Sequence, residues 1–396
     1  MSEYQLEGYK PELIDQIARL RQQIWGGSRA ANVAYLNWRY LANPYLADPL
    51  IHVARHQGRV VGMRAMYGTG WVVPGLAHPQ VLPCGADTGI SPEHRDTGLF
   101  SELTEFAIAD VVDRGFRFAI NMSATPANLV TSIMTMGWRK VASYEPLIRL
   151  SGPPPAAVPT EATGGTAISA LPLVQQLKRS SWLANAARQT RTVRRNTFGT
   201  NPFAELDKNF RNAARDGSIE ITSEPRPRLM ATLADRFDDP ERIHHLRDET
   251  YVAWRYRNPL ATSRLSPYRV LRRFLFLDTG DAAGYAVLQG HPGGRRVNLV
   301  DWAGDEATFS ELIRIVIALV KPDQLGTWGT TLPMPFKQQL DQSDFGPDEG
   351  DPATRREGFI VKALAPDETK PWAIGGYRLL DIASWDLRMI QSDAFM

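Results

Sequence analysis

The sequence predicts an α/β protein of two similar halves, each a mixed central sheet with flanking helices, joined by a linker and a helical segment. Three observations predict it. A strand, a tight loop and a helix follow one another between Ala86 and Val111. An aromatic-basic stretch at 35–44 recurs at 251–259 with one residue fewer. A run rich in Pro, Ala, Thr and Gly, from Ser151 to Gly165, separates the two copies.

The bulk properties agree. A chain of 396 residues suits two domains with a core each. The net charge of +2 gives no general attraction to nucleic acid or to an anionic membrane. A single cysteine, Cys84, lies in an apolar strand run; it excludes an internal disulfide framework and fits a reducing, cytoplasmic setting. The N-terminus lacks a secretory pattern, and the longest apolar stretch, 312–320, is interrupted by Arg314 and too short to span a bilayer.

Taken in order, residues 4–9 form a first strand. Pro11 starts a helix whose stripe is Leu13, Ile14, Ile17, Leu20 and Ile24, ending at Trp25-Gly26-Gly27. Tyr35–Tyr40 is helical and is stopped by Asn43-Pro44. Strands at 51–55 and 60–71 are joined by Gln57-Gly58, a hairpin signal. A third strand, 81–90, turns at Ser91-Pro92. Gly98 then opens a helix with Phe100, Leu103, Ala107 and Val111 on one face. A short strand at 116–121 runs parallel to 81–90, with that helix as the crossover. A helix at 126–136 closes at Gly137, and 138–150 returns as a strand or hairpin.

The second half repeats this order. Tyr251–Pro259 matches Tyr35–Pro44, and strands follow at 268–277, 284–289 and 296–303. A helix carries Phe309, Ile313, Val316 and Val320. A strand at 325–331, a helix at 336–340 and a strand at 358–364 complete it. Parallel element order of this kind marks an internal duplication. The halves fall at 1–150 and 226–396, with 151–225 between them. The intervening segment is basic, with Lys178, Arg179, Arg188, Arg191, Arg194 and Arg195, which reads as a solvated helical face or as a patch for an acidic partner.

A helix's first turn leaves backbone N–H groups without partners beside the positive end of its dipole. A loop carrying Arg95 and Gly98 into that turn is therefore a seat for a phosphate or diphosphate. The stretch from Ile90 to Phe100, ISPEHRDTGLF, resembles the acyl-CoA loop of the GNAT superfamily of N-acyltransferases. That pattern is a strand, then Arg or Gln, two residues, Gly, one residue, and Gly or Ala; Phe100 departs from it at the last position. Asn121, Asn128 and the Met136-Gly137-Trp138 turn resemble the second half of the same family's motif.

The resemblance implies a GNAT fold for residues 1–150, with the pantetheine arm of acyl-CoA between two splayed parallel strands. It implies cofactor contacts from Thr88, Gly89, Ile90, Arg95, Asp96, Thr97, Gly98, Leu99, Phe100, Asn121 and Asn128. Family members transfer an acyl group, here acetyl or another short chain, from acyl-CoA to an amine by direct attack, without a metal. The N–H of Ile90 would then meet the developing oxyanion. Many members protonate the leaving thiolate with a tyrosine four residues before the second motif's glycine. Here Ile133 holds that position. A thiol of pKa about 8.5 is a tolerable leaving group without it.

The remaining polar candidates for acid–base work are Asp87, Tyr67 and His94. Trp38, Arg39, Trp254 and Arg255 read as core and cap contacts, and no His or Cys spacing suggests a metal. In the second copy Asp305-Glu306 replaces the phosphate loop. Two carboxylates there repel a diphosphate and satisfy the dipole. The second half would then form a wall of a cleft for a small-molecule amine. Two rivals stand beside this reading: a FemAB-like transferase using aminoacyl-tRNA, which the basic segment favours, and a non-catalytic acyl-CoA-binding module, which Ile133 and Phe100 favour.

Overall fold

The computed structural model describes residues 3–123, 126–151, 194–195, 199–213, 219–264, 266, 268–279, 283–320, 323–348, 358–364 and 372–392. The Pro-rich run and the basic positions 178, 179, 188 and 191 lie outside them.

In the first half, β1 (Gln5–Gly8) is followed by α1 (Ile14–Trp25) and α2 (Arg29–Leu36), and then by β2 (Leu50–His56), β3 (Arg59–Val72) and β4 (Gln80–Ile90). Gly26 terminates α1, and Ser28 caps α2 by accepting the N–H of Ala31. Gln57 and Gly58 both have positive φ, the conformation a two-residue hairpin demands, so β2 and β3 pair tightly. Next come α3 (Leu99–Asp113), β5 (Phe118–Asn121), α4 (Pro126–Met136), β6 (Arg139–Ala142) and β7 (Pro146–Leu150).

After α5 (Ala204–Ala213), the second half opens with β8 (Ile219–Thr222), α6 (Pro227–Phe237) and β9 (Ile243–His245). It continues through α7 (Glu249–Arg255), α8 (Pro259–Thr262), β10 (Leu271–Asp278), β11 (Ala283–Gly290) and β12 (Arg296–Ala303). The remaining large elements are α9 (Glu306–Val320), β13 (Gln324–Trp328), α10 (Met334–Gln342), β14 (Gly346–Pro347) and β15 (Phe359–Ala363). A small hairpin, β16 (Ala373–Ile374) and β17 (Tyr377–Arg378), leads to β18 (Trp385–Asp386).

The two sheets have one topology. The first runs β1-β2-β3-β4-β5-β15-β6 and the second runs β8-β10-β11-β12-β13-β7-β14. The sixth strand of each comes from the other half. β7 pairs with β13 and β14, while β15 pairs with β5 and β6. This corrects the expectation that 138–150 and 358–364 each return within their own half. Only three residues separate β6 from β7, yet the chain crosses from one sheet to the other there. Each half is thus completed by the other.

The duplicated stretch lies where the halves meet. Trp38 and Trp254 stack at 5.2 Å, and each indole Nε1 donates to the other's backbone carbonyl at 2.7 Å. The exchange is reciprocal, as an approximate two-fold axis between the rings requires. The extra residue of the first copy has a physical place as well. Residues 37–41 form a π turn, with Ala42 N–H donating to Asn37 O, and a π turn accommodates one inserted residue in an α-helix.

One core spans both halves, joining Ile17, Met63, Tyr67 and Trp71 to Tyr251, Trp254, Phe274 and Tyr285. The face of β3 carrying Met63, Ala65 and Tyr67 looks into this shared core. The opposite face, with Gly62, Arg64 and Met66, lies under α3. At the end of β3, β9 adds as a further strand through Trp71 and His245, and β18 pairs with β9.

His245 is buried between Trp71 and Tyr251. Burial, with the charges of Arg255 and Arg247 behind it, lowers its pKa to about 3. A depressed imidazole pKa contributes stability that is complete above the unfolded value of about 6.5 and is lost as pH falls towards the folded value. Denaturant midpoints should therefore fall between pH 6.5 and 4, and His245→Phe should flatten that part of the profile. An unchanged profile in the variant would show that this imidazole does not govern it.

Candidate active site

β4 and β5 touch through a single parallel pair, Cys84 with Ile120, and then part. Opposite Ala65, β4 carries a bulge, since Arg64 pairs with Thr88 but Met66 with Gly85. A bulge adds a residue and bends the strand away from its neighbour. The second copy has the same device in the same place. There Val287 pairs with Asp301 and Leu288 with Leu299, and β12 pairs with β13 only over Arg296–Asn298.

The amides of the opening can be assigned from the ladder. Ser91 N–H donates to Val61 O at 2.8 Å, so Gly62 and Ile90 form a pair that does not bond to each other. Antiparallel pairing alternates. The backbone groups of Ile90 and Thr88 therefore point away from β3, into the gap beside β5, while those of Gly89 face β3. Arg95 Nε donates to that outward Ile90 carbonyl at 3.3 Å.

Gly98 enters α3 with φ of 82°, which only glycine adopts cheaply, and no side chain caps the helix. Residues 95–98 are exposed, whereas Leu99 is buried against Ile90 and Leu103. The result is an open, uncapped helix start held rigidly at the mouth of the splay. Phe100 is exposed. Asn121 stands in the gap, its Oδ1 accepting Ser123 N–H at 2.8 Å. Asn128 lies in the first turns of α4, and its side chain is outside the described residues.

The corresponding place in the second copy is closed. Asp305 Oδ1 accepts Thr308 N–H at 2.8 Å and so caps α9. Trp302, Phe309 and Phe336 pack ring to ring beside the first turn, at 4.5 to 5.0 Å.

The three expected acid–base groups are not brought together. His94 bonds Tyr4 through Nδ1 and packs on the ring of His56 at the outer end of β2. Tyr67 is buried in the shared core, its ring under the Arg39 guanidinium at 4.2 Å. Asp87 is ion-paired with Arg21 at 2.5 Å and accepts the hydroxyl of Tyr40 at 2.7 Å. Burial pushes its carboxyl up, but the guanidinium groups of Arg21 and Arg39 outweigh this and hold it below the usual range. A carboxylate so engaged is a poor proton acceptor.

The second copy bears this out. Asp301, also next to its bulge, is bonded by Arg247, Tyr256 and Tyr285. Tyr256 is the repeat of Tyr40. An Asp–Tyr–Arg cluster present in the copy without a phosphate loop is part of the scaffold that holds the bulge. This arrangement favours a scaffold role for Asp87 over its candidacy as a general base. Asp87→Asn should therefore leave Arg21 as a buried uncompensated charge and cost about 3 kcal/mol in denaturant unfolding at pH 7. A loss under 1 kcal/mol would contradict the scaffold role.

Ile133, where the family's acid would stand, packs with Leu129 and Trp138. Sequence reasoning missed Tyr40 and Arg21. The recurrence of Tyr40 as Tyr256, each upstream of an Asp on the third strand, was the signal that could have found them. Arg64 was also missed, and no sequence pattern marks it.

Residues 6–139 match the family described as the acetyltransferase (GNAT) domain. Solved structures share the overall fold across 91% of this chain and 73% of theirs. They include a GCN5-related N-acetyltransferase from Anabaena variabilis (12% identity, TM-score 0.53) and Eis1 from Mycobacterium abscessus (14%, 0.51). A probable N-acyltransferase from Enterococcus faecalis is a third (9%, 0.52). No curated protein matches in sequence. Residues 6–139 therefore match a GNAT acetyltransferase domain, and the chain as a whole has the fold of two GNAT-like domains. Among the described residues no helix is long and apolar enough to cross a membrane.

Proposed function

We propose that the protein is an N-acyltransferase that moves a short acyl group from acyl-CoA to the amine of a small molecule. One observation carries the reading: an uncapped helix start, entered through Arg95 and Gly98, at the mouth of a strand pair that parts after one bridge. Backbone N–H groups and the dipole there suit the diphosphate, and the outward amides of Thr88 and Ile90 suit the pantetheine arm and the thioester oxygen.

In the reaction the amine nitrogen attacks the thioester carbonyl carbon. A C–N bond forms, the C–S bond breaks, CoA leaves as thiolate and the amine's proton passes to solvent. Ile90 N–H would stabilise the oxyanion in between. With Ile133 in place of an acid, the thiolate leaves unprotonated, which its low pKa permits. The sole cysteine, Cys84, is buried and in no disulfide, which suits a reducing compartment.

Release of free CoA thiol should be measured with acetyl-CoA and longer acyl-CoAs against small amines, amino sugars and amino acids. Amine-dependent release that disappears in Arg95→Glu supports the reading. CoA binding without turnover would favour a binding module, and a salt-sensitive shift of tRNA would favour an aminoacyl-tRNA donor.

A further inference from the structure

Arg64 is a buried cation that no carboxylate balances. It is 7% exposed, and among the described residues it makes no ion pair. Its Nη1 donates to Thr88 Oγ1, while its Nε is buried without a partner. Nearby acids are already engaged. Asp110 is held by His52 at 2.8 Å and Arg114 at 2.9 Å, and Asp87 serves Arg21 at 2.5 Å. Among the other buried arginines, Arg247 pairs with Asp238 and Asp301 and Arg388 with Asp386, while Arg255 donates to the carbonyls of Ile390 and Ser392 and Arg272 to the amide oxygen of Gln289. Burial lowers the Arg64 pKa to about 10, so the group is still charged at neutral pH. A buried charge held only by a hydroxyl is costly to keep, and an anion arriving from outside would offset that cost.

The position of the guanidinium says what would bring it. A Cβ built on Gly85 would lie 3.6 Å from Arg64 Nη2 and 3.4 Å from Asn121 Nδ2. The guanidinium therefore spans β4 from Thr88 to Gly85, along the stretch where β4 leaves β5. The phosphate seat is at the other end of this stretch, beyond Ile90, so a thioester carrier laid along β4 brings its acyl end towards Gly85. Arg64 also lies on the α3 face of the sheet, under the helix whose start would seat the donor's phosphates. The group it meets is thus on the donor.

Resting on the acyl-CoA reading above, we propose that Arg64 selects an acyl donor whose chain ends in a carboxylate, such as a malonyl or succinyl thioester, by pairing with that carboxylate beside Gly85 and Asn121. A guanidinium offers the forked donors that a carboxylate accepts.

Calorimetric titration of the full chain with free CoA, acetyl-CoA, malonyl-CoA and succinyl-CoA tests this. Malonyl- or succinyl-CoA should bind at least tenfold more tightly than acetyl-CoA. Arg64→Met should erase that preference while changing the acetyl-CoA affinity less than twofold, and Arg64→Lys should keep part of it. Equal affinities in the unsubstituted protein overturn the proposal, whether or not Arg64→Met folds, and so does a preference that survives in folded Arg64→Met. If free CoA and every thioester fail to bind, the acyl-CoA reading falls and this inference with it. If CoA binds and no preference exists, the inference alone fails.

Discussion

Arg95→Glu should weaken binding of CoA about 100-fold while leaving the fold intact. The side chain is exposed and its Nε bonds Ile90 O at 3.3 Å, so reversing its charge disturbs no core contact. What changes is the seat. A charge-assisted hydrogen bond to phosphate is worth about 1.5–3 kcal/mol, and a carboxylate in its place adds repulsion at the positive end of α3. Hundredfold corresponds to about 2.7 kcal/mol. The loss should shrink as salt rises, because an exposed site is screened over about 8–10 Å. Calorimetry at two ionic strengths reads both effects. A loss below threefold would mean that the diphosphate lies elsewhere.

Trp38→Ala should destabilise the whole chain rather than one half. Its ring is buried, stacks on Trp254 and donates to the Trp254 carbonyl at 2.7 Å. Truncating a buried tryptophan costs about 3–5 kcal/mol. The loss falls at the join of two halves that share one core and exchange β7 and β15, so unfolding monitored by far-UV dichroism and by fluorescence should shift together. Trp38→Phe should lose only about 1–2 kcal/mol, chiefly the indole hydrogen bond. Two separated transitions in Trp38→Ala would contradict the shared-core architecture.

Much of this was legible in the chain. Periodicity placed α1, α3 and the hairpin of β2 with β3, because strong local signals, such as Gln57-Gly58 and the stripe from Leu13 to Ile24, decide those elements. The repeat at 35–44 and 251–259 announced the duplication, and Asp305-Glu306 announced the closed second copy. The strand exchange left no mark. β7 and β15 are five-residue apolar strands that suit the sixth position of either sheet, and their partners are set by where the chain crosses. The π turn showed only as one extra residue.

Of the candidate site, the strand end at Ile90 and the helix start at Gly98 were legible, because backbone patterns define them. The site was not legible where long side chains converge. Arg21, Tyr40 and Asp87 are distant in sequence and meet only once the sheet forms. The same holds for Arg64, whose meaning depends on what does not stand next to it.

The central claim is that one copy, and one only, binds a CoA carrier. Titration of the full chain with free CoA measures it most directly. The account predicts one site per chain, lost in Arg95→Glu and unchanged in the double variant Asp305→Asn, Glu306→Gln. Two sites per chain, or one site indifferent to Arg95→Glu, would contradict it.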